Sequence, residues 1–191
     1  MARILLVVTG ASRGFGKATC EAFFDEHAKK NDDTIVRCCL VARSSQGLAA
    51  SKDSLQVVIG ASNFSCLVTT HQVDLSDLDT LGTKFNEIIN GLTPREFDKL
   101  ILINNAGSVG EIGSLATQSA SIADWKRTID LNVTSMFWTT RLWGQWAIQN
   151  NISAILVNIS TLVAIQPFPS MSLYSAGKAV RSCCCAYTRK S

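Results

Sequence analysis

Residues 4–8 (ILLVV) run straight into Thr9-Gly10-Ala11-Ser12-Arg13-Gly14-Phe15-Gly16, and residues 17–30 then place apolar side chains at helical spacing with charges between. A short β-branched run without polar interruption suits a central parallel strand, because both of its faces are covered. Strand, glycine-rich turn and helix, in that order, commit the backbone to a sharp bend at the carboxyl end of the strand. Glycine at 10, 14 and 16 lets that bend approach a pyrophosphate with no Cβ in the way, and the following helix N-terminus attracts its charge. Three glycines at a helix entry also serve packing alone. Their position between first strand and first helix favours dinucleotide binding.

The alternation continues along the chain. Residues 34–41 read as a second strand, 46 to about 59 as a weaker helix, 60–63 as a turn and 66–73 as a third strand. Ser76 stands where an N-cap would open a helix through SDLDTLGTKFNEIINGL, with Asp77 and Asp79 in its first turn and Gly91 and Pro94 ending it. A fourth strand at 99–103 leads into NNAGS, a Gly/Ser-rich loop spans 108–121, one long helix runs from roughly 122 to 149, and a fifth strand covers 154–159. Strands alternating with helices give right-handed βαβ units. The expected fold is α/β, a doubly wound parallel sheet of Rossmann-like type.

Composition narrows the function classes. In 191 residues, 47% are hydrophobic and 17% charged, as in a globular chain with a core rather than a disordered one. The net charge of +3 comes without any run of Lys or Arg, so no nucleic-acid partner is expected. The first apolar run is too short for a signal peptide, and no stretch reaches the ~18 apolar residues of a spanning helix. No membrane association is expected, and the location is expected to be cytoplasmic. The seven cysteines include no CxxC pair with partner ligands, so no metal is expected and the thiols read as reduced.

The end of the second strand selects the cofactor. An Asp or Glu there binds the ribose 2′-hydroxyl of NAD, whereas an arginine accommodates the 2′-phosphate of NADP. This chain has Ala42-Arg43 at that position and Arg13 in the glycine turn. Two guanidiniums without a carboxylate favour NADP(H), against the plainer reading of two solvated surface arginines.

Residues 153–181 carry the chemistry. A buried strand exits at Ser160-Thr161, a Pro-marked loop follows, and a helix brings Tyr174 and Lys178 at i, i+4 onto one face. A free phenol has a pKa of about 10, and an ammonium beside it favours the phenolate, drawing it toward the working range of an acid or base. The hydroxyl of Ser160 or Thr161 is within reach of the same substrate oxygen. That is a proton-transfer site for a carbonyl or alcohol.

TGASRGFG, Asp74-Leu75, NNAG at 104–107, Asn132 within LNVTSM, and YSAGK together resemble the short-chain dehydrogenase/reductase family, in its order, from about residue 4 to 181. The resemblance implies that Gly10, Ser12, Arg13, Gly14, Phe15 and Gly16 line the phosphates, with Arg13, Ala42 and Arg43 near the 2′-phosphate. It implies that Asp74 and Leu75 border the adenine and that Asn105, Ala106 and Gly107 border its ribose. Tyr174 would donate the proton, Lys178 would hold the nicotinamide ribose, and Asn132 would hold a water behind the lysine. Counting the family's thirteen residues back from the tyrosine reaches Thr161 in place of serine, with Ser160 one earlier. LINNAGSVG, LNVTSMFW and LYSAGKA resemble more narrowly its pterin-reducing members, implying a pterin carbonyl substrate and a place in tetrahydrobiopterin biosynthesis.

After Arg181 the chain reads SCCCAYTRKS, unlike the family's helix, and the family's further strands have no counterpart. The expectation is therefore a domain at 1–181 with a sheet incomplete at its C-terminal edge, a divergent tail at 182–191, and a shortened version of the family's dimer helix. The primary reading is an NADPH-dependent carbonyl reductase. The alternatives are a truncated, catalytically incompetent chain that binds nucleotide or a partner, and a reductase for another small carbonyl.

Overall fold

The computed structural model describes residues 2–30, 34–60, 65–112, 121–166 and 168–185. Five parallel strands, β1 (Arg3–Thr9), β2 (Ile35–Ala42), β3 (Ser65–Gln72), β4 (Lys99–Asn104) and β5 (Ser153–Asn158), form one sheet in the order β3-β2-β1-β4-β5. Val8 sits opposite Leu40 on one side and Ile103 on the other, and Asn104 opposite Asn158. The strand order reverses between β1 and β4. In a doubly wound sheet that is where a crevice opens beyond the carboxyl ends of the strands.

Alternation along β1 sends Leu5 and Val7 to one face and Ile4, Leu6 and Val8 to the other. The first face packs on α3 (Leu78–Asn90) and on α5 (Ser135–Gln149) through Leu81, Phe85, Trp143 and Trp146. Trp143 is fully buried and meets Phe85 and Trp146 edge-on. The second face packs on α1 (Gly14–Lys30) and α2 (Ser45–Gly60) through Cys20, Phe24, Leu48 and Leu55. The Cys66 thiol on β3 is pushed up to about 12 by burial, so it stays protonated at neutral pH.

At the amino edge of the sheet, Arg3 Nη2 and Nε donate to the two oxygens of Asp98 at 2.6 and 3.1 Å, and Arg3 Nη1 donates to the Arg95 carbonyl. This fork ties β1 to the turn before β4. Both partners are solvent-exposed, so its net contribution is small.

Two local expectations are corrected. Ser76 does not cap α3. The helix starts at Leu78 with Asp77 at the cap position, while the Ser76 amide and hydroxyl both donate to Asp74 Oδ1 at 2.9 and 2.6 Å. A carboxylate two residues upstream is the stronger acceptor, so the serine closes an Asx-type turn on the preceding loop. The long helix expected from about 122 to 149 is interrupted: α4 (Ile122–Ile129) passes into a π-helical turn, Asp130–Thr134, before α5 resumes. The 60–63 turn falls mostly outside the described residues, with Gly60 still closing α2, and so do residues 113–120 of the 108–121 loop. The last helix, α6 (Ser172–Cys185), continues past Arg181 into the cysteines; residues 186–191 of the tail lie outside the described residues.

Candidate active site

The glycine turn is fixed from three sides. Gly10 N donates to the Val41 carbonyl at 2.7 Å, and Ser51 Oγ on α2 donates to the Ala11 carbonyl at 2.8 Å. The Thr9 hydroxyl accepts from the amides of Asn105 and Ala106, both at 3.1 Å. Asn105 Nδ2 then donates to the carbonyls of Thr9 and Gly10. Gly10 has φ +69°, and a Cβ there would stand 2.8 Å from Asn105 Nδ2 and 2.9 Å from Ala106 Cα. A Cβ on Gly16 would collide with the Gly10 carbonyl oxygen. Gly10 shapes the turn and Gly16 lets α1 press against it.

A cleft of about 1210 Å³ opens above this turn, at the carboxyl ends of the strands. Gly10, Ser12, Arg13, Gly14 and Phe15 form its floor. Ala42, Arg43, Asp74 and Leu75 wall one end, and Asn105, Ala106 and Gly107 run along the middle. Ser160, Tyr174 and Lys178 wall the other end. Three of the expected residues stand back from it. Gly16 is buried in α1, Asn132 is buried in the π-helical turn, and Thr161 is not among the residues that line the cleft, whereas Ser160 is.

Asn132 explains the π-helical turn. Its Nδ2 donates to the carbonyls of Ser108 and Thr128 at 2.8 and 3.0 Å, and its Oδ1 accepts from the Ser108 amide at 3.2 Å. The side chain thus pins the loop after β4. It is packed between two glycines, since a Cβ on Gly107 would lie 2.7 Å from Asn132 Oδ1 and one on Gly177 3.2 Å from Asn132 Cβ. The wider turn re-aims the side chain without breaking the helix.

Tyr174 and Lys178 share one face of α6, with Lys178 Nζ 5.6 Å from the phenol ring centroid. Lys178 Nζ donates to the Ile159 carbonyl at 3.0 Å, which holds it at the exit of β5. Burial, aided by the charge of Arg181, brings the lysine down to about 8. Ser160 Oγ donates to the Lys178 carbonyl at 3.1 Å and lies 3.3 Å from Ser182 Oγ.

At the opposite end, burial pushes the Asp74 carboxyl up, but the Ser76 hydrogen bonds and the charges of Arg127 and Arg43 outweigh it and hold the group below the usual carboxylate range. Arg127 Nη2 reaches Asp74 Oδ2 at 3.2 Å and also lines the cleft. The sequence reading missed Arg127 because a lone arginine on a polar helix face reads as solvated. It also missed Arg181, three residues past Lys178 and on the same face of α6.

The family model "short chain dehydrogenase" matches residues 5–184. The chain is 31% identical over 183 residues to sepiapterin reductase of Rattus norvegicus, covering 92% of this chain and 64% of that protein. It therefore spans a little under two thirds of the curated relative's length. Among solved structures it is similar to a short-chain dehydrogenase from Sphingobium yanoikuyae in complex with NADPH (26% identity, TM-score 0.69, covering 94% of this chain and 61% of that one). It also matches a metagenomic short-chain oxidoreductase in complex with NADP (24% identity, TM-score 0.74, covering 94% and 72%), a likeness of fold.

Proposed function

This chain belongs to the short-chain dehydrogenase family, and on that premise we propose that it is an NADPH-dependent carbonyl reductase acting on a pterin carbonyl. The observation that carries the reading is a single cleft with a glycine-floored cradle between two arginines at one end and the Tyr174–Lys178 pair at the other. The cradle fits a dinucleotide: a Cβ on Gly14 would meet nothing within 4 Å, so the floor is open to the cleft, and α1 begins at that residue. Arg13 and Arg43 would hold the 2′-phosphate, and Asn105 to Gly107 the middle of the ligand. No helix among the described residues is long and apolar enough to cross a membrane.

When bound, NADPH supplies a hydride to the carbonyl carbon. Tyr174 gives its hydroxyl proton to the carbonyl oxygen, so the carbonyl becomes an alcohol and the phenol a phenolate. The Lys178 ammonium steadies that phenolate. Ser160 is the cleft-side hydroxyl; turning away from the Lys178 carbonyl lets it donate to the substrate oxygen.

The test is NADPH oxidation by the purified 191-residue chain with sepiapterin, beside steroid, sugar and acyl ketones. Turnover fastest with sepiapterin is expected. NADPH binding without turnover on any carbonyl overturns the reductase reading and leaves a nucleotide-binding chain.

Two further outcomes follow from the charges. Arg43→Asp lowers the NADPH-over-NADH preference in kcat/KM by roughly 10–100-fold, the worth of a hydrogen bond to a charged group. An unchanged ratio removes Arg43 from the 2′-phosphate site. In a pH profile, kcat/KM for reduction falls as pH rises through about 8, because the ammonium that favours the phenolate loses its proton there. A profile flat to pH 10 would contradict that role for Lys178.

A further inference from the structure

Arg181 is only 1% exposed, the most deeply buried charged side chain among the described residues. No carboxylate among them lies within ion-pair distance of it. Burying an unpaired guanidinium costs several kcal/mol unless its donors are met. Here backbone carbonyls meet them. Nε donates to Asn132 O at 2.9 Å, Nη1 to Asn104 O at 2.9 Å and Ile159 O at 3.4 Å, and Nη2 to Ala106 O at 2.5 Å. These carbonyls come from four places around the cleft: the π-helical turn, the end of β4, the loop after it and the exit of β5.

Two features link this residue to the proton-transfer pair. Tyr174, Lys178 and Arg181 are spaced i, i+4, i+7 and share one face of α6. The Ile159 carbonyl that receives Lys178 Nζ also receives Arg181 Nη1, so the two cations share one acceptor. We propose that Arg181 is a positioning residue of the proton-transfer site: it fixes the Ile159 carbonyl that aims Lys178 and places a second cation on the face of α6 that carries Tyr174 and Lys178. This rests on reading Tyr174 as the proton donor.

The other charged groups around α6 do not replace that charge. Neither β5 nor the 3₁₀ turn Leu162–Ala164 has an ionisable side chain. On α4 and the π-helical turn, Lys126 pairs with Asp130 at 2.7 Å, Arg127 with Asp74, and Asp124 with the Ser121 cap. Glu111 stands at the cleft wall. Burial lowers Arg181 to about 10, which leaves it cationic at neutral pH, and the Tyr174 phenolate favours its charge in return.

The readout is the pH profile of kcat/KM for carbonyl reduction, whose fall near pH 8 reports Lys178. Arg181→Met removes a charge that helps bring Lys178 down, so the fall is expected to move toward higher pH by about half a pH unit. Should the methionine variant fail to fold, Arg181→Gln, neutral but still a donor to the carbonyls, is profiled in its place with the same shift expected. A folded neutral variant whose profile falls at the parent's pH overturns the proposal. That failure leaves the Tyr174 reading standing, because turnover by Tyr174→Phe judges that separately.

Discussion

Tyr174→Phe lowers the turnover of carbonyl reduction by about 10²–10⁴-fold, the usual worth of a positioned acid, while NADPH affinity stays within a few-fold of the parent. The split is expected because the hydroxyl belongs to the chemical step. The ring, which lies beside Lys178 Nζ, is retained, and the glycine cradle at the far side of the cleft is untouched. Steady-state rates with sepiapterin and quenching of protein fluorescence by NADPH measure the two quantities. A phenylalanine variant that keeps its rate would remove Tyr174 from the reaction and with it the proposed mechanism.

Gly10→Ala is expected to cost about 2–5 kcal/mol of stability, from a left-handed backbone forced on alanine and from steric overlap. The new methyl would press on Asn105 Nδ2, a side chain, and on Ala106 Cα, which is backbone and cannot swing aside. Relief means breaking the bonds from Asn105 to Thr9 and Gly10 that join the end of β4 to the turn. The melting temperature should fall by roughly 5–15 °C, with NADPH binding at least tenfold weaker. Gly14→Ala is the control. Its φ of +57° is also left-handed, but a Cβ there meets nothing, so only the conformational cost of about 1–2 kcal/mol applies. Equal losses for the two variants would show that the overlap at Gly10 contributes nothing.

The strands were legible because a parallel sheet covered on both faces needs unbroken β-branched runs, and each such run became a strand to within a residue or two. The glycine turn was legible because its three glycines fell between the first strand and the first helix. The π-helical turn was not, since one widened turn leaves the hydrophobic spacing of residues 122–149 almost unchanged. Ser76 misled because a serine three residues before an acid reads equally as a helix cap and as the closing residue of an aspartate turn. Counting back from Tyr174 reaches Thr161 with Ser160 one earlier, and the count left the two open; of them Ser160 lines the cleft, where the chain has left β5 at Asn158 and pairwise side-chain alternation no longer governs it. Arg181 left no signal in composition: a buried cation satisfied by carbonyls looks, in sequence, like any helix arginine. Only its i+7 offset from Tyr174 marked it.

The fork between Arg3 and Asp98 stands at the end of the sheet remote from the cleft. That polarity offers a practical handle. A fluorophore, a surface tether or an inserted peptide placed near Arg95 would report on how the strands hold together, while leaving the nucleotide cradle and the phenol undisturbed.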